Sequence, residues 1–166
     1  MAFDAYLKIP TIDGEATAKG YEKWIELLSY THVLSQHSGG SMSASGGLSG
    51  GRVDHGEFTI THALDKASPK LAQACCTGEH IKDITVDISR AAGEGKGTRF
   101  MEYKMSDVIV SSVSPSGSSK GSDPLPLEAV KFAYGKIEWT YTEVGNDGKK
   151  KGDIKTGWDV SKGSKV

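Results

Sequence analysis

Apolar and polar residues alternate with period two in short segments separated by glycine, and this pattern constrains the fold more than any other feature of the sequence. In residues 3–9, Phe3, Ala5, Leu7 and Ile9 share one side while Asp4, Tyr6 and Lys8 share the other, as a half-buried strand requires. Phe58, Ile60 and His62 alternate against Glu57, Thr59 and Thr61, and Ile84, Val86 and Ile88 alternate against Thr85, Asp87 and Ser89. A longer strand is predicted over residues 24–35. There Leu28, Tyr30, His32 and Leu34 form one row, and Leu27, Ser29, Thr31, Val33 and Ser35 form a smaller, more polar one. Segments at 99–112, 130–134, 136–144 and 154–160 bring the total to roughly eight strands, the spacing of a sandwich or barrel. The 21 glycines and five prolines punctuate them. Residues 93–97 and Asn146, Asp147 and Gly148 read as hairpin turns.

One segment departs from this pattern. In SPKLAQACCTG, residues 68–78, Ser68 is placed to cap, Pro69 suits the first helical position and Gly78 suits a left-handed stop. A short helix is predicted over about residues 69–77. Leu71, Ala74 and Cys75 give it a narrow apolar stripe. The only two cysteines, Cys75 and Cys76, are adjacent, where a disulfide would close a strained ring. They are predicted to be reduced and buried.

Two stretches read as loops. Residues 37–52, HSGGSMSASGGLSGGR, and residues 114–123, SPSGSSKGSD, hold too little apolar surface to fold alone. The remainder fits one domain spanning 1–166. Twenty Lys and Arg against 21 Asp and Glu leave a formal charge of −1. That balance lacks the basic field of a nucleic-acid binder and permits dense self-association. No apolar run approaches the length of a membrane span, so membrane insertion is not expected. The opening residues MAFDAYLK show neither a basic region nor an apolar core of a secretory signal.

Reactive motifs fail on inspection. Gly46 and Gly51 are spaced as in a phosphate loop, but Arg52 and Val53 replace the required Lys and Ser or Thr. Gly93, Gly95 and Gly97 lack the spacing and context of a dinucleotide fingerprint. The histidines at 32, 37, 55, 62 and 80 form no HxH or HxxxH pair, and no Cys-x-x-Cys is present. His32 and His62 are predicted to pack partly buried. No Gly-x-Ser-x-Gly elbow supports a hydrolase triad, and Asp83 and Asp87 are expected on a wet strand face. The sequence therefore predicts no catalytic residue, cofactor or metal. Trp24, Trp139 and Trp158 are expected to anchor the core and interfaces, with a sugar-stacking platform as the alternative.

Taken together, AFDAYLKI, GEATAKGYEKWIELLSY, FTITHALDKASPKLAQACCTGEHI, RAAGEG, DVIVSSVSPSGSS, LPLEAVKFAYGKIEWTYTE and KTGWDV resemble the haemolysin-coregulated protein (Hcp) family, inner-tube proteins of bacterial type VI secretion. The resemblance covers nearly the whole chain. It implies a mainly β fold, a two-sheet β-barrel with one flanking helix, assembled as hexameric rings that stack into an expelled tube. It implies partners in the secretion spike, the sheath and small effector proteins, and release outside the cell, while the missing signal peptide makes the bacterial cytoplasm the expected place of synthesis. A 166-residue globule is about 40 Å across, and six equal discs in a ring enclose a hole as wide as one disc. Ser29 and Thr31 are expected to face that lumen, with Tyr30 and His32 toward the core. The loop containing Ser41, Met42, Ser43, Ala44, Ser45 and Leu48 is expected to contact the next ring. The competing readings are a monomeric β-sandwich carbohydrate-binding module and a small hydrolase.

Overall fold

The computed structural model of the chain describes residues 2–39, 49–90, 97–122 and 125–166. In chain order the elements are β1 (Phe3–Lys8), β2 (Ile25–Leu27), β3 (Ser29–Thr31), β4 (Leu34–Gly39), β5 (Ser49–His55) and β6 (Phe58–Ala63). They continue with α1 (Ser68–Thr77), β7 (Ile81–Arg90), β8 (Thr98–Ser116), β9 (Leu127–Val144), β10 (Lys150–Asp159) and β11 (Ser164–Lys165). The fold is mainly β with one short helix, as expected. The strands expected at 130–134 and 136–144 are instead one continuous strand, β9. Gly135 lies within it, and a Cβ there would sit 3.1 Å from Asp107 Oδ2.

Strands run in the order β2-β1-β7-β8-β9-β10-β11, and each neighbouring pair is antiparallel. One edge of β9 is shared. Leu127 to Phe132 pair with β6, which in turn pairs with β3, whereas Lys136 to Val144 pair with β10. The other edge of β9 carries β8 from Met101↔Tyr141 to Ser116↔Leu127. These two long strands therefore join the main sheet to its branch. The closed two-sheet barrel expected above is not formed by strand pairing among the described residues, because the ladder ends at β2 and β11. At the open side, β2 packs beside β6 without a strand ladder, and the chain crosses from the main sheet to its branch at Leu28.

That junction also corrects the strand predicted over 24–35. The Leu28 amide donates to the Thr61 carbonyl (2.8 Å), and pairing switches there from β1 to β6. A one-residue irregularity exchanges the two faces of a strand. Leu27, assigned to the polar row, is buried, and Leu28, assigned to the core row, is exposed.

Leu7, Ile25, Phe58, Ile84, Met105 and Phe132, from six different strands, belong to one buried cluster that α1 joins through Leu71 and Ala74. The outward rows of β1 and β7 are less wet than their composition suggests. Tyr6, Asp87 and Ser89 are buried. Residues 16–24 cover them, with Tyr21 stacked on Tyr6 at 4.2 Å between ring centroids. Asp87 thus does not lie on a solvated face, and Arg99 Nη1 lies 3.9 Å from its Oδ1.

The helix starts differently from the sequence reading. Ser68 lies inside α1, and Ala67 at the N-cap provides no side-chain cap. Asp65 Oδ1 instead accepts from the Ala67 amide (2.9 Å) while Ser68 Oγ accepts from the Asp65 amide (3.1 Å). These are the reciprocal bonds of a capping box, set upstream of the helix. Pro69 occupies the first turn, and Gly78 closes the helix at φ 64°, donating its amide to the Ala74 carbonyl (3.0 Å). Cys75 is half-buried, but Cys76 is exposed on the solvent side of the helix and both are free thiols. Only the apolar stripe decides which of two adjacent helical residues is covered.

Candidate functional site

β3 places two small hydroxyl side chains on a surface recess. Hydrogen bonding to β6 sets its register at Ser29↔Thr61 and Thr31↔Thr59. Ser29 and Thr31 are exposed, and Tyr30 and His32 are half-buried on the opposite side of the alternation. The Tyr30 ring lies parallel to Phe58 (6.0 Å, 2°) and meets Phe3 edge-on (6.4 Å, 76°). Such rings fix the strand's facing by burying area that Ser29 and Thr31 lack.

The recess has a volume of about 720 Å³. Phe3, Leu28, Met101, Tyr103 and Trp139 line it beside the β3 residues. Burial pushes Tyr103 up to about 12, aided by Tyr30, and burial pushes His32 below the usual histidine range. Both are neutral at pH 7, and no lining residue is a carboxylate or a permanent cation. The recess can therefore offer apolar contact and hydroxyl hydrogen bonds but no charge.

The residues expected to contact another ring, Ser41, Met42, Ser43, Ala44, Ser45 and Leu48, lie outside the described residues. The segment they belong to is flanked by β4 and β5, which pair as a two-stranded hairpin. At its base, His32 Nε2 and His55 Nδ1 each lie 2.7 Å from the Tyr134 hydroxyl on β9. Sequence reasoning did not find this cluster, because its members stand 102 and 79 residues apart. Farther out, His37 Nε2 and Asp54 Oδ2 are 2.6 Å apart across the two strands. A second cavity of about 410 Å³ lies between the hairpin and the end of the sheet, lined by Arg52, His55, Trp139 and Trp158 among others. Trp139 and Trp158 are half-buried against the core cluster, in keeping with their expected anchoring role.

His62 is fully buried, not partly so, and its Nε2 donates to Glu128 Oε1 (3.1 Å). Its Nδ1 lies 3.8 Å from Asp65 Oδ1, which links β6 and β9 to the capping box of α1. The alternation of β6 predicts an inward His62, but no sequence signal selects Glu128 as its partner. Among the described residues no group of three or more His, Cys, Asp or Glu side chains could hold a metal ion, and no helix is long and apolar enough to cross a membrane.

Comparison with known proteins gives a consistent result. The family described as "Type VI secretion system effector, Hcp" matches residues 6–141. Protein hcp1 of Pseudomonas aeruginosa is 33% identical over 161 residues, covering 96% of this chain and 96% of that protein. The Major exported protein of the same organism is 31% identical over 109 residues, covering 63% of this chain and 62% of its own. A solved structure described as a type six secretion system protein superposes with a TM-score of 0.90 at 34% identity, covering 99% of this chain and all of that one.

Proposed function

Because the chain belongs to the Hcp family of type VI secretion system proteins, we propose that it is a structural tube component, six copies of which close into a ring. Rings stack into the inner tube, and the lumen holds small effector proteins until the tube is expelled. The observation that carries this reading is the match of essentially the whole chain, in sequence and in fold, to a protein of that secretion system.

Several features support it. A closed ring needs two different, complementary surfaces on each protomer, and the sheet path ends on two different strands, β2 and β11. Within the ring, the strands of each protomer wrap into a two-sheet barrel around the shared core. Ser29 and Thr31 line the lumen, and their small hydroxyl side chains suit transient contact with varied cargo. The segment containing Ser41, Met42, Ser43, Ala44, Ser45 and Leu48 docks against the next ring. The spike and sheath are the further partners, the cytoplasm is the site of assembly, and secretion follows firing, in keeping with the exported relative. No covalent chemistry is required.

Size-exclusion chromatography with light scattering tests the assembly. A particle of six times the 17.7 kDa chain, seen as an open annulus by electron microscopy, is expected. A monomer at all concentrations would overturn it, and a monomer that binds glycans would favour the carbohydrate-binding module.

A further inference from the structure

The base of the β4–β5 hairpin is built around one oxygen atom. His32 precedes β4 by two residues and His55 ends β5, so the two feet of the hairpin meet at Tyr134 on β9 through contacts of 2.7 Å each. Among the described residues the hairpin strands pair only with one another. Beside the feet, the Gly56 amide donates to the Val33 carbonyl (2.8 Å). We propose that Tyr134 is the catch of a proton-operated latch: with both imidazoles neutral its hydroxyl ties His32 to His55 and holds the hairpin against β9, and protonation releases it.

The argument is one of donors and acceptors. A phenol has one proton to give and lone pairs to accept with, and a neutral imidazole can take either role. One histidine accepts from Tyr134 while the other donates to it, so the three contacting atoms are all satisfied when both imidazoles are neutral. Two imidazolium ions would both donate to the same oxygen, leave the phenolic proton without an acceptor there, and place two positive charges side by side.

Burial lowers both histidines, and His55 lowers His32 further. The sign follows from linkage. Above the ordinary histidine value of about 6.5, open and latched forms are both neutral, and the latch is closed. Below it the open form takes up protons first. The open-to-latched ratio then rises by up to about tenfold per pH unit for each imidazole, until the latched form itself is protonated.

Other charged groups on the surrounding elements are engaged or turned outward. On the hairpin, Asp54 is held by His37 and Arg52 is exposed. Glu57, just before β6, is exposed. Asp107 of β8 pairs with His80, and Asp159 of β10 accepts from Ser161. Lys136 of β9 stands opposite Asp159 in the backbone register. Tyr30 of β3 and Tyr103 of β8 pack around Phe58, and farther along β9 Glu138 pairs with Lys155 of β10. Neither His32 nor His55 has a carboxylate partner among the described residues.

Hydrogen exchange on the full chain at pH 7.5, 6.5 and 5.5, corrected for intrinsic rates, tests the latch. Protection of β4 and β5 amides is expected to fall at least tenfold between pH 7.5 and 5.5, with β7 unchanged. In Tyr134→Phe it should be low already at pH 7.5 and insensitive to pH. Flat protection in the parent protein, or the same pH response in Tyr134→Phe, would overturn the proposal. Imidazole titration by NMR needs no variant. Midpoints of His32 and His55 below 6.5, coincident with hairpin amide shifts, are expected, and midpoints at or above 6.5 would refute it. Both readouts report on the protomer, so they stand or fall separately from ring formation.

Discussion

His62 Nε2 lies 3.1 Å from Glu128 Oε1 with both side chains shut away from solvent. The pair crosses from β6 to β9 at a point where the two strands are directly in register. A buried polar group is tolerated only with its partner present, and removing one member leaves the other desolvated and unpaired.

Glu128→Ala should therefore destabilise the protein by about 3 kcal/mol, read as a lower urea midpoint. His62→Ala should cost a similar amount. The double variant should cost less than the sum of the two, since neither residue is then left without its partner.

The phase change at Leu28 makes neighbouring positions respond oppositely. Thr31→Arg places a charge on an exposed position and should change stability by no more than about 0.5 kcal/mol. Leu27 is 6% exposed, and Leu27→Arg should cost more than about 4 kcal/mol or prevent folding. If Ser29 and Thr31 line a lumen, Thr31→Arg should also leave the ring mass unchanged while altering which effectors co-purify, measured by pull-down from cells.

Deleting Ser41 to Leu48 should leave rings intact in light scattering and shorten tubes in electron micrographs. Tubes of unchanged length would mean that this segment does not mediate stacking.

Alkaline stability carries a signature of the buried phenols. Tyr103 is pushed up to about 12 by burial, and burial raises Tyr134 and Tyr21 in the same direction. Below pH 10 the phenols are protonated in both folded and unfolded chains. Between pH 10 and 12 the unfolded chain ionises first, so stability falls by up to about 1.4 kcal/mol per pH unit for each such group. Urea midpoints measured from pH 9 to 12 should fall across this window, and Tyr103→Phe should make the fall shallower.

The strands with one apolar row, β1, β6 and β7, and the helix bracketed by Pro69 and Gly78 could be read from the sequence because their signals are local. What could not be read is what covers an outward row. Tyr6, Asp87 and Ser89 look like a solvated face until residues 16–24 fold over them, and period-two reasoning carries no information about a distant segment. The same limit hid the Tyr134 cluster, whose histidines show no mutual spacing in the chain. Leu28 illustrates a different limit, since one amide bonded to Thr61 inverted a row that composition assigns plausibly either way. Ser29 and Thr31 are exposed as their polar row predicts, because the break falls at Leu28 and leaves the alternation of residues 29–32 intact.

The length of β8 and β9 has a thermodynamic consequence. The same two strands supply partners to β7 at one end and to β6 at the other, so unzipping either region strips hydrogen bonds from a strand the other still needs. The protomer should melt as one cooperative unit, with the slowest-exchanging amides of β6 and β7 sharing a single opening energy.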